Sequence, residues 1–253
     1  MKTKFIVYLG ILCLFCGNIQ AQKLLSKKVP FKAGQKIQFL FTYPELIKLT
    51  SWDKNEIEIS AKVRINNGRN NDAFALEVKE EEGILQVSSV IKGLDNLPKM
   101  LVITRGDTKY YFDNDQEHDK AMQQFREEHG ENGYGYSTRG VIKEITLEIK
   151  VPANAAFSIN AKFGLLELTN ITAPIEAISK FGGIDMTLSP NANKNFKLST
   201  KFGEIMTNLS LDIEKNKAFE PYKWNVVKGQ LNGGGKMCHL ESKFGNIYLR
   251  KSQ

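Results

Sequence analysis

The sequence has few cysteines, few histidines and, after its first residues, no long apolar run. Three cysteines and three histidines occur among 253 residues, and two of the cysteines lie within residues 1–21. If that segment is removed on export, Cys238 is the only cysteine left, which excludes an intramolecular disulfide. We expect Cys238 to be a small buried apolar residue. No later segment reaches the roughly 18 apolar residues of a membrane-spanning helix, so no transmembrane span is expected in the mature chain.

Residues 1–21 have the pattern of a secretory signal peptide. Lys2 and Lys4 form a basic start, residues 5–15 are an apolar run, and small or polar residues lead to Ala21, the expected cleavage position. A lipoprotein signal is disfavoured because large residues precede both cysteines of this segment. The protein is therefore expected to be exported, to the periplasm or the cell surface.

Charge is unevenly divided between the two halves of the chain. Residues 22–156 contain 20 basic and 20 acidic residues, whereas residues 157–253 contain 13 basic and 8 acidic residues, a net charge of +5. We expect an N-terminal β region at 22–156, with an acidic insert at 107–140, followed by a repeat region at 157–253 that continues the same structure.

Alternating apolar and polar residues predict strands along most of the chain. The clearest case is 57–65, where Ile, Ile, Ala, Val and Ile alternate with Glu, Ser, Lys and Arg. Further strands are predicted at 37–41, 74–78, 84–90, 100–104 and 142–151. The predicted fold class is all-β, with one short inserted helix.

The acidic insert predicts this helix, near 114–129. Asn114 and Glu117 have the spacing of a capping box, and Gly130 can end the helix. One face carries His118, Met122, Phe125 and His129. The two histidines are about 16 Å apart by helical rise, too far to share a metal ion. We expect an amphipathic helix laid on the sheet, then a mobile loop at 130–140 whose tyrosines could contact a ligand.

A Lys-Phe-Gly triplet occurs four times in the C-terminal half. The copies are Lys162-Phe163-Gly164, Lys180-Phe181-Gly182, Lys201-Phe202-Gly203 and Lys243-Phe244-Gly245. The phenylalanines are 18, 21 and 42 residues apart. A period of about 20 residues is typical of stacked units that cannot bury their apolar faces alone. The pattern predicts parallel rungs, each made of two short strands with a bend at the triplet.

Apolar residues recur at fixed distances around each triplet. In the first copy they are Phe157 and Ile159 before the phenylalanine, and Leu166 and Leu168 after it. The apolar parity shifts by one residue at Phe-Gly, as at a corner or bulge. Glycine there permits a positive φ and a close approach of neighbouring backbones. The phenylalanines are predicted to point inward as an internal ladder, with small residues two positions earlier leaving room for the rings.

The 42-residue gap has room for a degenerate copy of the repeat. The residues that would fill its positions are Tyr222, Trp224, Val226, Lys228 and Gly229. This alignment predicts one more parallel rung, with residues 209–221 as an excursion from the stack.

The four triplet lysines are predicted to point outward, and two interpretations of them are open. They are Lys162, Lys180, Lys201 and Lys243. They could form a cationic stripe for an anionic polymer such as polysaccharide, lipid head groups or nucleic acid. Alternatively they form a solvated face, the more common role of such lysines, helped by acids such as Glu167, Glu204 and Glu241. Nucleic acid is disfavoured because no aromatic residues are predicted on that outer face.

The end of the chain resembles the terminal motif of the bacterial putative-adhesin family, whose members are often described only as a domain of unknown function. The motif covers Leu-Asn-Gly-Gly-Gly at 231–235 and residues 240–251, and segments 47–57 and 145–152 are similar to the lead-in of that family's repeats. The resemblance spans roughly 36–251 apart from the insert. It implies a Bacteroidota-type exported protein with a right-handed β-solenoid or β-helix-like fold and no catalytic residues. Many members have Ser where this chain has Phe.

These features favour a non-catalytic, exported, adhesin-like protein that binds cell-envelope material or a protein partner, with no cofactor and no metal ion. One alternative is an envelope-stress-associated scaffold, which could assemble by end-to-end β pairing. Another is a polysaccharide-acting β-helix enzyme, which would need converging carboxylates. Asp185 and Glu204 occupy different positions of their repeats, so the enzyme is the least favoured of the three.

Overall fold

The computed structural model describes residues 22–113, 120–130, 135–214 and 223–252. In these ranges the protein is an all-β structure with one α-helix, arranged as two large sheets and one small sheet. The predicted signal peptide at 1–21 lies outside the described residues, as do His118 and Tyr222.

The first large sheet has eight strands. In spatial order they are β1 (Lys23–Pro30), β4 (Glu56–Ile65), β10 (Lys143–Pro152), β3 (Leu46–Trp52), β12 (Leu165–Thr169), β14 (Ile184–Leu188), β20 (Ile247–Lys251) and β16 (Ile205–Thr207). Strand β4 pairs antiparallel with β1 and β10, and every pairing from β10 to β16 is parallel. The strong alternation at 57–65 is therefore confirmed as a strand, with its apolar residues buried.

The second large sheet has nine strands. In spatial order they are β17 (Asp212–Ile213), β18 (Asn225–Leu231), β15 (Lys194–Thr200), β19 (Lys236–Ser242), β13 (Ile175–Ser179), β11 (Phe157–Ala161), β2 (Lys36–Phe41), β6 (Ile84–Ile91) and β5 (Phe74–Glu81). Pairings from β15 to β6 are parallel, and the pairings outside them are antiparallel.

One hydrophobic core contains buried side chains from both large sheets. Phe39, Ile47, Ile159 and Leu168 in this core are each exposed by 1% or less. Strands β2 and β3 pair with β11 and β12, so strands from before and after residue 157 share this core.

The repeat alignment is confirmed by the register of the strands. Residues six positions before each phenylalanine form one row across the second sheet, in the order Phe157, Ile175, Cys238 and Phe196. Residues three positions after it form a row in the first sheet, in the order Leu166, Ile184, Ile247 and Ile205. The copies stack in the order first, second, fourth, third, because β19 lies between β13 and β15.

The predicted degenerate rung is wrong. Val226, Lys228 and Gly229 lie on β18, which pairs antiparallel with β15. Trp224, which should occupy a buried place, is 40% exposed. Strand β18 therefore covers the edge of the outermost rung instead of adding a rung, an arrangement that protects an otherwise unpaired strand edge.

The insert and the strand just before it form the small third sheet, which carries the helix. Its strands are β8 (Thr108–Phe112), β7 (Met100–Arg105) and β9 (Tyr136–Gly140), all antiparallel. Helix α1 (Lys120–His129) buries Met122 and Phe125 against Ile103 and Phe112 in a second hydrophobic cluster. The prediction of an amphipathic helix laid on a sheet is confirmed at these residues. The predicted cap residues Asn114 and Glu117 lie outside the described ranges.

Two further predictions for the insert have different outcomes. His129 lies at the margin of the helix, as expected, with its ring 4.7 Å from that of Phe125 and 5.4 Å from that of Tyr110. Residues 136–140, expected to be part of a loop, instead form strand β9. Across the described residues, no helix is long and apolar enough to cross a membrane.

Candidate functional site: an exposed ladder of phenylalanine and lysine

Each Lys-Phe-Gly triplet lies at a corner where the chain passes from the second large sheet to the first. The second triplet, for example, joins β13 to β14. Main-chain hydrogen bonds continue through the corner: the Lys180 N–H donates to the Ala161 carbonyl, and the Phe181 N–H donates to the Lys162 carbonyl. Neighbouring corners are therefore held in register by the same ladder of bonds as the strands.

The glycine of each triplet is required by the close approach of neighbouring backbones. A Cβ on Gly182 would fall well within 3.0 Å of the Gly164 carbonyl oxygen, and Cβ atoms on Gly245 and Gly203 would meet the next corner in the same way. The predicted close approach is thus confirmed. Of the four triplet glycines only Gly164 has a positive φ, +87°, so the predicted left-handed backbone is confirmed there alone.

Buried hydroxyl groups line the inner side of two corners. The Ser242 hydroxyl accepts a hydrogen bond from the Gly245 N–H at 3.0 Å and donates one to the Gly182 carbonyl at 2.9 Å. Thr200 repeats this arrangement, accepting from the Gly203 N–H at 3.1 Å and donating to the Gly245 carbonyl at 3.2 Å. The hydroxyls therefore satisfy backbone groups that the tight corner removes from water.

The prediction that the phenylalanines point inward is wrong. Phe163, Phe181, Phe244 and Phe202 are 39%, 45%, 43% and 52% exposed. Burial ends at the small residue two positions before each ring, so the lysine and the phenylalanine both lie on the outside. Since the neighbouring backbone and the small hydroxyl or methyl side chains fill the inner side of the corner, no volume remains there for a ring.

The exposed rings form one stacked column along the outside of the corners. Ring centroids are 5.2 Å apart for Phe163 and Phe181, and 5.1 Å apart both for Phe181 and Phe244 and for Phe244 and Phe202. The interplanar angles are 15°, 4° and 10° in the same order. We name these four rings and the lysine before each of them the corner ladder.

Tyr43 extends the column by one ring, and the repeat did not indicate it. Its ring stacks on Phe163 at 6.5 Å, and Lys143 lies 5.5 Å from the Tyr43 ring centroid. Tyr43 follows the buried Phe41 by two positions, just as each ladder phenylalanine follows a buried small residue. This spacing after a predicted strand could have identified Tyr43, whereas Lys143 comes from β10 and has no counterpart in the repeat.

Each ladder lysine lies against its own phenylalanine. The Nζ atoms of Lys162, Lys180, Lys243 and Lys201 are 5.4, 5.2, 5.2 and 5.3 Å from the ring centroids. Between residues of the described ranges, no carboxylate forms an ion pair with these lysines. Glu167, which was expected to lie among them, pairs instead with Lys48 at 3.6 Å. The ladder thus carries four cations that the described acids do not match.

On the outer face of the first large sheet, by contrast, lysines form ion pairs with carboxylates. Its ion pairs include Lys48–Glu167, Lys62–Glu148 at 2.9 Å, Lys150–Glu58 at 2.9 Å and Arg250–Asp185 at 2.9 Å. The hydrogen bond from Lys150 holds the pKa of Glu58 below its usual range. The positive charges on this face are therefore neutralised by neighbouring carboxylates, whereas the four ladder lysines have no such partner among the described residues.

The stacking decides which part of each ring meets a partner. Since a neighbouring ring and the ring's own lysine both lie against each internal ring, its faces are at least partly covered. A shallow groove of about 370 Å³ lies beside the first two ladder lysines and is lined by Leu40, Phe41, Thr42, Asn160, Lys162 and Lys180. The ladder and this groove together present cations, aromatic surface, one hydroxyl and one amide.

The buried ionisable groups of the described residues have structural partners. Burial raises the pKa of the Cys238 thiol to about 12, which keeps it protonated and unreactive. The buried Lys194 ammonium donates to the carbonyls of Thr172 and Ala173 at 3.1 and 2.9 Å, and burial lowers its pKa. Within the described ranges, no three His, Cys, Asp or Glu side chains are grouped closely enough to hold a metal ion.

Comparison with known proteins gives one structural likeness. No protein-family model matches the chain, and no curated protein matches it. A solved structure described as a putative cell adhesion protein from Clostridium sporogenes superposes with a TM-score of 0.47, at 10% sequence identity, over 92% of this chain and 100% of that chain.

Proposed function

We propose that the protein is an exported, non-catalytic, adhesin-like β-solenoid of the putative-adhesin family, and that it binds cell-envelope material through the corner ladder. Export is inferred from the signal-like residues 1–21, and family membership from the resemblance at 231–251. The solenoid assignment is supported by the parallel rungs, which run from β10 to β16 in one sheet and from β6 to β15 in the other.

The observation that carries the binding role is the exposure of the corner ladder. Four large rings are 39–52% exposed beside a core in which such rings would normally lie. Contiguous exposed apolar surface with a polar rim is typical of interaction sites. Four lysines without carboxylate partners among the described residues favour an anionic partner. A surface that served only solubility would need the lysines but not the rings.

A catalytic role is not proposed, because the acids of the repeat region do not converge. A glycosidase requires two carboxyl groups within several ångströms of the same bond. Asp185 is held by Arg250 at 2.9 Å on the face of the first sheet, whereas Glu204 lies at the corner of the outermost rung. The arrangement therefore favours binding.

The test is retention of the purified chain on an insoluble envelope fraction. The ladder variant replaces four lysines by Gln: Lys162, Lys180, Lys201 and Lys243. The matched control removes the same charge from the ion-paired face by replacing Lys28, Lys48, Lys62 and Lys150 with Gln. Exposed charge contacts are worth a few tenths to about 1 kcal/mol each, so the loss of four of them should weaken binding of the ladder variant at least about tenfold. The control should stay within about twofold.

Two results would contradict the proposal at different points. If the unmodified chain is not retained, envelope binding is wrong. If the ladder variant, shown to be folded by its thermal unfolding, is retained as well as the unmodified chain, the ladder is not the binding surface.

A further inference from the structure

We propose that the ligand of the corner ladder is a single extended chain of an acidic linear polysaccharide, built of uronic-acid residues, whose carboxylates lie along the row of lysines. This inference rests on the proposed function, because it names the ligand class of the same surface. Four observations carry it: the spacing of the cations, the orientation of the rings, the groove beside the ladder, and the narrowness of the charged row.

The spacing of the rungs favours a polymer with a short, regular charge repeat. The rings, each with its lysine, recur every 5.1 to 5.2 Å in a nearly parallel stack. An extended 1,4-linked uronate chain has such a repeat, with one carboxylate on every sugar residue, so it can place carboxylates at regular intervals along the row of lysines.

The orientation of the rings disfavours nucleic acid. Binding of single strands depends on bases that stack on the faces of aromatic side chains. In the ladder each internal face is covered by the next ring, since the centroids of Phe181 and Phe244, for example, are 5.1 Å apart at an angle of 4°. The lysines beside these rings are positive, so they suit carboxylates more than they suit bases.

The groove beside the ladder suits a sugar chain. Thr42 and Asn160 line it together with Lys162 and Lys180, and Leu40 contributes apolar surface. A hydroxyl, an amide and an apolar patch are the groups that recognise the hydroxyls and the C–H faces of a sugar, while the lysines take its carboxylates. An anionic polymer without hydroxyls would leave the first two of these groups unused.

The narrow shape of the charged row disfavours a membrane and a second copy of this chain. The ladder is one lysine wide, and the adjoining face of the first sheet neutralises its lysines with carboxylates such as Glu148 and Glu58. An anionic bilayer is contacted by a broad basic patch instead. Two ladders placed face to face would oppose lysine to lysine, which is repulsive. A single polymer chain lying along the row meets neither difficulty.

The experiment measures affinity for defined oligosaccharides of 1,4-linked mannuronate with two, four, six and eight residues. We expect affinity to rise steeply up to four or five residues, which span the four phenylalanine rungs and the Tyr43 rung, and to rise only slowly beyond that length. Esterification of the carboxylates, which keeps the sugar chain but removes its charge, should weaken binding at least tenfold. The ladder variant should lose a similar factor, and the control variant at Lys28, Lys48, Lys62 and Lys150 should stay within about twofold.

A poly-glutamate peptide of equal charge number serves as the competing ligand. Binding at least tenfold weaker than that of the octasaccharide supports the uronate assignment, and equal binding overturns it in favour of an acidic protein partner. Equal binding of esterified and free oligosaccharides also overturns it. If the chain is retained on the envelope fraction in a ladder-dependent way but does not bind mannuronate, the ligand class is wrong and the proposed function stands. If neither binding depends on the ladder, both are wrong.

Discussion

The inner and outer sides of the same corners differ in how closely their residues are packed. On the inner side, Gly182 has no room for a Cβ, and its carbonyl accepts a hydrogen bond from the buried Ser242 hydroxyl at 2.9 Å. On the outer side, Phe181 and Lys180 of the same triplet are exposed and contribute no close packing to the core. One repeated triplet therefore combines a glycine that the fold requires with two residues that it does not.

This difference shows that the residues of one repeated triplet can recur for different physical reasons. The glycine recurs because neighbouring backbones approach at the same distance in every rung. The lysine and the phenylalanine face water, where packing places little restriction on residue type. Their recurrence on the surface therefore needs another reason, and an extended ligand that contacts every rung supplies one.

The largest effect that separates the two sides is expected from two phenylalanines on either side of one corner. Phe196, on β15, is 2% exposed, whereas Phe202, after the same strand, is 52% exposed. Phe196→Ala should lower the free energy of unfolding by about 3–5 kcal/mol, because it leaves a cavity in the core. Phe202→Ala should cost only about 1 kcal/mol, from one ring stack and one cation–π contact. Urea unfolding of both variants measures the difference, and equal costs would place Phe202 inside.

The inward prediction failed for a reason that lies in the geometry of the corner. Alternation along β15 correctly places Phe196 and Leu198 inside, and the register of the four copies follows from the same pattern. Continuing that alternation to Phe202 assumes that the strand runs straight through the triplet. The chain bends first, because the Gly203 backbone lies against Gly245. The sequence shows that a glycine permits a bend but does not show at which residue the bend begins.

The stacking order was equally beyond prediction from the sequence. Nearly all core positions of the repeat are apolar in every copy, so the copies are largely interchangeable. The exception is Thr207, five positions after Phe202, which lies on the edge strand β16, whereas the corresponding residues of the other copies are apolar and buried. Reading the 42-residue gap as a missing copy assumed that rungs stack in chain order. Strand β19 lies instead between β13 and β15, and β18 fills the edge in antiparallel pairing. Of the ladder itself, the outward lysines and the alignment of the phenylalanines into a column were predictable, and the exposure of that column on the outside was not.

The next largest effect is expected at the glycine of a corner. Gly182→Ala places a Cβ against the Gly164 carbonyl, and since both atoms belong to paired backbones the rungs must separate. We expect a loss of about 3 kcal/mol or more, or failure to fold. Gly140→Ala is the matched control, because its Cβ would meet nothing within 4 Å and its φ is not positive. The control should change stability by less than about 0.5 kcal/mol in thermal or urea unfolding. Similar values for the two variants would show that the corners are looser than described.

A smaller effect is expected from the hydroxyl on the inner side of the corner. Ser242→Ala leaves the Gly245 N–H without its acceptor and the Gly182 carbonyl without the hydroxyl donor. Unsatisfied buried groups of this kind cost about 1–3 kcal/mol. Ser158→Ala, at a partly exposed position of β11, is the control and should be close to neutral. Urea unfolding of both variants measures the difference in the free energy of unfolding. Equal values for the two serine variants would mean that water replaces the Ser242 hydroxyl.

The last effect is a pH dependence that arises from buried ionisable groups of the interior. The folded-state pKa of Cys238 is raised by burial from 9.0 to about 12. Between these values the unfolded thiol loses its proton while the folded thiol keeps it, so the stability present below pH 9 falls by about 1.4 kcal/mol for each further pH unit. Lys194, whose pKa is lowered by burial, acts in the opposite direction, since its folded form releases a proton at a lower pH than its unfolded form does.

Comparison with Cys238→Ala separates the two contributions, because Lys194 is present in both proteins. The difference in free energy of unfolding between the unmodified chain and this variant should be constant from pH 7 to about 9 and then fall by about 1.4 kcal/mol per pH unit. A thiol that ionised equally in both states would make this difference independent of pH, and Cys238 would then have to be open to solvent rather than buried between the sheets.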